Sequence, residues 1–185
     1  MTGYAFCGSF CTLSASLKFL SYLSEREEIL PIVSGIVYGT DTRFWQKEKF
    51  LGEILRITGK DPIHTIEDAE PLGPKIILDS LIIAPCTGNT IAKLANGITD
   101  TPVTMAAKAH LRSDRPLLIA LASNDALSAN LKNVAAMMMR KKVYFAPMYQ
   151  DDPKNKPHSL VCSFDSLPLA YEKMKSGEQL YPLFI

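Results

Sequence analysis

Several things this chain of 185 residues has little of narrow what it can be. It has four cysteines, Cys7, Cys11, Cys86 and Cys162, and none forms a CxxC pair or a zinc-ligand spacing, which excludes a structural zinc framework and points to reduced thiols. The three histidines, His64, His110 and His158, are scattered, with no catalytic companion beside them in the sequence. No apolar run approaches the ~20 residues that span a bilayer. The first residues lack the basic n-region of a signal peptide. Neither sign of charge dominates: 20 Lys and Arg stand against 19 Asp and Glu, so the net charge of +1 gives no global case for nucleic acid. There is no internal repeat, low-complexity tract or interdomain linker. The expectation is a cytoplasmic globular protein, one domain over residues 1–185, without a structural metal. Its 47% hydrophobic and 21% charged residues are ordinary for such a protein, and its length suffices for a real core.

Short, wholly apolar runs alternate with stretches of helical period. Tyr4 to Cys7 reads as a buried strand followed by a Gly8-Ser9 turn. Leu13, Leu17 and Leu20 predict a helix over about residues 12–24. Ile29 to Val33 reads as a second strand, and Phe44 to Ile57 as an amphipathic helix closed by Gly59. After an irregular, proline-bearing stretch over 61–75, Ile76 to Ala84 reads as a strand stopped by Pro85. Helices are predicted over Ile91 to Ile98 and Val103 to Leu111, then a strand over Leu117 to Leu121. Leu127, Leu131, Val134 and Met138 line the next helix, which assigns the Met137-Met138-Met139 run to core packing. Val143 to Ala146 is a strand and residues 150–158 a polar loop. Leu160 to Phe164 reads as a short strand and Ser166 to Lys175 as a last helix. The alternation predicts an α/β fold: a three-layer, Rossmann-like, open and mostly parallel sheet with helices on both faces. The apolar C-terminus, Leu180 to Ile185, is expected to dock on its own core or on a neighbouring subunit.

Ligands of such sheets gather outside the carboxyl ends of the strands. Four strand ends carry suitable residues. At Gly8-Ser9 a glycine permits close approach of a phosphate and the following helix offers free N–H groups, with hydroxyls on Ser9 and Thr12. The same residues also suit a plain strand–turn–helix with a serine cap. Ser34 ends the second strand. Pro85 to Thr90 places Cys86, Thr87, Asn89 and Thr90 in one short arc whose donors and acceptors suit the edge of a planar heterocycle, or simply a capped turn. Ser123, Asn124 and Asp125 form a further polar cluster, with Asn124 also suited to capping the helix that follows.

Read together, these segments resemble one family. Pro85 to Asp100 is similar to the Pro-Ala-Ser-Ala-Asn-Thr block of the homo-oligomeric flavin-containing cysteine decarboxylases, matching at Asn89, Thr90, Lys93, Ala95, Gly97 and Asp100. Leu121 to Leu127 resembles that family's Pro-x-Met-Asn segment with Asn124 kept. The resemblance implies FMN as cofactor, with its phosphate held by Gly8, Ser9 and Ser34 and its ring faced by Cys86, Thr87, Asn89, Thr90, Ser123 and Asn124. Ala69 to Lys75, Thr99 to Ala109, Ser123 to Leu127 and Gln150 to Pro157 point to one branch of the family. That branch implies a sporulation-linked B subunit working beside a nucleotide-binding A subunit that carries NAD(P), the two together oxidising dihydrodipicolinate to dipicolinate. A dianionic substrate needs cationic partners, for which Arg43, Lys108, Lys154 and Lys156 are the candidates. The stretch Pro71 to Pro74 lacks the decarboxylases' active-site histidine, and the Met-Asn segment has lost its methionines, which argues against cysteine decarboxylation. The resemblance also admits a flavin prenyltransferase-like enzyme or a non-catalytic scaffold subunit. No catalytic residue is assigned. Self-association as a trimer or a multiple of it is expected.

Overall fold

The computed structural model describes residues 1–185. Five parallel strands form its centre: β1 (Thr2–Phe6), β2 (Ile29–Val33), β3 (Ser80–Cys86), β4 (Leu117–Ser123) and β5 (Val143–Phe145), in the spatial order 2-1-3-4-5. Two short strands, β6 (Met148–Tyr149) and β7 (Leu160–Cys162), extend the sheet beyond the carboxyl end of β5, where β7 pairs antiparallel with Ala122 and Ser123 of β4. The sheet is thus mostly parallel and Rossmann-like, with helices on both faces.

The side chains alternate between two cores. Tyr4, Phe6, Ile82, Ala84, Leu118 and Ala120 face α1 (Leu13–Ser24), α3 (Lys47–Thr58) and α8 (Leu167–Lys175). Ala5, Cys7, Leu81, Ile83, Leu117 and Ile119 face α5 (Gly88–Ala95), α6 (Pro102–Leu111) and α7 (Leu131–Met138). Because both faces are covered, the strands read as continuous apolar runs rather than as alternating ones. Two further short helices, α2 (Gly35–Gly39) and α4 (Ile66–Ala69), have too few turns to show a period in the sequence.

Some boundaries differ from the sequence reading. β3 begins at Ser80 and runs through Pro85 to Cys86, so the proline lies inside the end of the strand instead of stopping it. The helix expected from Phe44 starts at Lys47, because Thr42 Oγ1 accepts the amides of Phe44 and Trp45 and holds them in a turn. Leu127 packs from a run of turns before α7, not from the helix itself. Met137 is buried, but Met139 is exposed, so only part of the methionine run is core.

The sheet's margins are sealed. Outside β2, Ile63 pairs with Pro31 and Val33 through backbone bonds of 3.0 and 2.8 Å. At β5 the Gln179 side chain takes a strand's place, accepting from Phe145 N at 2.9 Å and donating to Phe145 O at 2.7 Å. The C-terminal residues pair with β6 through Met148, so the tail docks on its own sheet and leaves Tyr181, Phe184 and Ile185 facing outward.

Candidate functional site

An open cleft of about 530 Å³ lies beyond the carboxyl ends of β1, β3 and β4. This is the switch point of a 2-1-3-4-5 sheet, where the chain leaves β1 and β3 in opposite directions and their loops part. One wall is the turn after β1, Gly8 to Thr12, which leads through a short 3₁₀ turn into α1. The second is Thr87, Gly88 and Asn89 at the start of α5, and the third is Ala122 to Asp125 after β4. Arg43 and Phe44 close one side and Asp151 and Lys156 the other.

Each wall is built from local chemistry. A β-carbon at Gly8 would come within 2.8 Å of Ile36 Cγ2, so only glycine lets the chain pass there and leave its backbone open to the cleft. Thr87 caps α5 by accepting the Thr90 amide at 3.3 Å. The N–H groups of Gly88 and Asn89 fall in the first turn of α5, beyond the reach of any intrahelical carbonyl. Asp125 is held by the Ser123 hydroxyl and by Asn130 Nδ2, the latter at 2.9 Å. These two donors keep its carboxyl below the usual carboxylate range. Lys156 Nζ meets Asp151 Oδ2 at 2.8 Å, and Ser159 Oγ donates to the other oxygen at 2.9 Å. Arg43 has no such counter-ion; its guanidinium lies 4.8 Å from the centre of the Phe44 ring.

The structure brings Gly8, Ser9, Thr87, Asn89, Ser123, Asn124, Arg43 and Lys156 to this one cleft. It places others elsewhere. Cys86 is wholly buried and burial pushes its thiol well above the usual range, so it is a neutral core residue. Thr90 lies on the inner side of α5, with its hydroxyl 3.3 Å from Cys7 Sγ and 3.1 Å from Thr87 Oγ1. Burial likewise pushes the Cys7 thiol up to about 11. Lys108 lines a separate hollow with Arg140 between α6 and α7, and Lys154 stands exposed on the loop over 150–158, outside the cleft wall. Lys93 forms an ion pair with Asp100 at 2.8 Å that braces the end of α5. Phe10, Phe44 and Asp151 are cleft residues that sequence reasoning did not single out. Asp125 belongs to the polar cluster read after the strand, but the aromatic residues carried no signal of their own.

The cleft suits a phosphorylated heteroaromatic ligand. Ser34 Oγ is the one buried side-chain polar atom in the chain without a hydrogen-bond partner. Its backbone N–H bonds Phe6 O at 2.9 Å, which sets it beside the end of β1, although Ser34 is not one of the residues lining the cleft. Free amides, hydroxyls and the Asn89 and Asn124 side chains supply both donors and acceptors for a planar ring edge. No histidine lines the cleft: His64 stacks on Tyr38, ring centres 3.8 Å apart, in another groove, and His110 Nε2 bonds Pro116 O at 2.8 Å.

A doubly covered sheet of this order, with a donor-lined cleft at its switch point, is the architecture of a flavin-binding α/β protein. The family model described as Flavoprotein matches residues 13–175, and the chain belongs to that family. It is 42% identical over 184 residues to the B subunit of dipicolinate synthase from Bacillus subtilis (strain 168), covering 99% of this chain and 92% of that one. The crystal structure of the dipicolinate synthase B subunit from Bacillus halodurans C superposes with a TM-score of 0.91 at 39% identity, covering 100% of this chain and 95% of that one. The FMN-dependent cysteine decarboxylase SpaF gives a TM-score of 0.65 at 23% identity, with 89% and 90% covered, a likeness of fold alone.

Proposed function

We propose that the chain, acting as one flavoprotein domain in the cytoplasm, is the B subunit of a dipicolinate synthase. It holds FMN and works with a nucleotide-binding A subunit, which carries NAD(P), to oxidise dihydrodipicolinate to dipicolinate during sporulation. The observation that carries this reading is the coincidence of the switch-point cleft with a full-length likeness to dipicolinate synthase B subunits.

The charges in the cleft orient the cofactor. Asp125 sits at the positive end of α5 and would repel a phosphate there. The phosphate therefore belongs at Gly8 and Ser9, near the unpartnered Ser34 hydroxyl and the start of the α1 segment. The ring then faces Thr87, Asn89, Ser123 and Asn124. Bound flavin supplies a hydride acceptor, and loss of hydride from a dihydropyridine gains aromaticity. The chain's remaining task is orientation. Arg43, free of a counter-ion, is the first partner for a substrate carboxylate, and Lys156 the second, released from Asp151 when a stronger anion arrives. Lys108 and Lys154 lie outside the cleft and take no part in this arrangement. The absence of a cleft histidine favours this reading over cysteine decarboxylation. The outward-facing Tyr181, Phe184 and Ile185 support self-association, as a trimer or a multiple of it, which light scattering measures.

Titrating the purified chain with FMN tests the proposal. Saturable quenching of flavin fluorescence is expected, together with dihydrodipicolinate oxidation that needs both subunits and rises with FMN. No saturable binding, with turnover indifferent to FMN, would overturn it.

A further inference from the structure

We propose that Asp125 is the positioning residue of the ring end of the cleft: clamped by Ser123 and Asn130, it fixes the Gly88-Asn89 turn in the conformation that receives the flavin. This rests on the flavin reading above. A chain of side-chain bonds runs inward from the cleft wall. Ser123 Oγ donates to Asp125 Oδ1, and Asn130 Nδ2 donates to Asp125 Oδ2 at 2.9 Å. Asn133 Nδ2 donates to Asn130 Oδ1 at 2.8 Å, and Asn96 Nδ2 to Asn133 Oδ1 at 3.3 Å and to Ala92 O at 2.7 Å. The chain therefore passes between α5 and α7 and bonds to the C-terminal end of α5 through Asn96, while its other end packs against Gly88.

The contact at Gly88 shows how tight the grip is. A β-carbon there would lie 2.5 Å from Ser123 Oγ, 2.6 Å from Asp125 Oδ1 and 2.7 Å from Asn130 Nδ2. Three polar groups thus fill the space that a side chain on the first residue of α5 would need. Burying Asn130 and Asn133 between helices is a costly way to gain stability, since aliphatic side chains pack there without desolvated amides. What a satisfied polar chain adds is a single geometry. Among its members only Asp125 and Ser123 also line the cleft, so their placement is passed to Gly88 and Asn89, which line it beside them at the open first turn of α5.

Two readouts on the same variants test this, one of them independent of flavin. In the ligand-free chain, D125A removes both anchors and is expected to speed hydrogen exchange of the Thr90 and Ile91 amides, which are bonded to Thr87, at least about tenfold over wild type, with the α1 amides unchanged. Its FMN dissociation constant should rise about tenfold. D125N keeps the shape and, by turning the Ser123 hydroxyl, both contacts, and should stay within about threefold of wild type in exchange and affinity. Should D125A fail to fold, N130A removes one anchor and no charge, and carries the same readouts. Unchanged exchange at the Thr90 and Ile91 amides in D125A overturns the positioning role whatever FMN does, as does a D125N variant as impaired as D125A. Wild type that binds no FMN while D125A loosens the turn sinks the flavin reading instead and leaves the turn's anchoring established.

Discussion

At the amino ends of the strands, Thr2, Ser80 and Tyr171 share hydroxyl contacts of 2.9 to 3.1 Å. Thr2 and Tyr171 both donate to Glu27 Oε2, at 2.7 and 2.6 Å, while Lys175 reaches Oε1 at 2.8 Å. The N-terminal ammonium meets Asp79 at 2.6 Å beside them. At the carboxyl ends of the same sheet, the Ser34 hydroxyl has no partner and Arg43 no counter-ion. Both clusters are polar, and both sit at strand ends. The first satisfies itself and adds to stability. The second leaves donors open: the buried Ser34 hydroxyl costs stability in the free chain, while the exposed Arg43 guanidinium is met by solvent. Saturation, more than polarity or hollow size, separates a structural cluster from a functional one here.

Substitutions at the two ends should therefore separate. Gly88→Ala at the functional end has the largest expected effect: the new methyl meets three polar atoms, and FMN affinity should fall by more than tenfold, read by fluorescence titration. Tyr171→Phe at the structural end should cost about 1.5–3 kcal/mol, the usual worth of a hydrogen bond to a charged group, in denaturant unfolding, with FMN affinity unchanged. Glu27 sharpens the same contrast through pH. Burial opposes its ionisation, but bonds from Lys175, Tyr171 and Thr2 outweigh that and lower its pKa. A lowered folded pKa contributes stability above the unfolded value of about 4.3 and loses it as pH falls through the folded one. Glu27→Gln should thus lower the melting temperature at neutral pH and change it little near pH 2. Arg43→Ala should raise KM for the dicarboxylate about tenfold and leave the melting temperature alone. Ser34→Ala carries the smallest effect: removing an unpartnered hydroxyl should leave the free chain as stable or up to about 1 kcal/mol more so, while weakening FMN binding a few-fold. If Ser34→Ala instead destabilised the free chain and spared FMN, the contrast between the two ends would collapse.

Much of the scaffold was legible because its signals are local. Apolar runs with both faces buried marked β1 to β5, and Ile91, Leu94 and Ala95 at helical spacing marked α5. Gly8, Ser9, Asn89 and Asn124 were placed by the rule that loops at carboxyl ends bind. Cys86 and Thr90 show where that reasoning stops. Extending β3 through Pro85 turns Cys86 into the core, and the helical turn after Thr87 swings Thr90 onto Cys7. A linear segment does not say which of its polar residues face outward. Asp125 was legible only as one of a polar cluster, and Asn130 and Asn133 escaped notice, because their meaning is a contact with Gly88 and Asn96, remote in sequence and joined only by packing. Lys108 was displaced for a similar reason: the face of α6 that carries it looks toward Arg140, away from the cleft.

The Gln179 clasp on Phe145 means that one amide side chain sets the width of the parallel sheet. Cutting the chain ahead of that glutamine would bare a short, apolar ribbon margin with an unfilled donor and acceptor, ready to recruit a neighbouring molecule's backbone. An extension appended after Ile185 leaves Gln179 in place, whereas trimming the tail ahead of it would add an open strand margin to the molecule's surface.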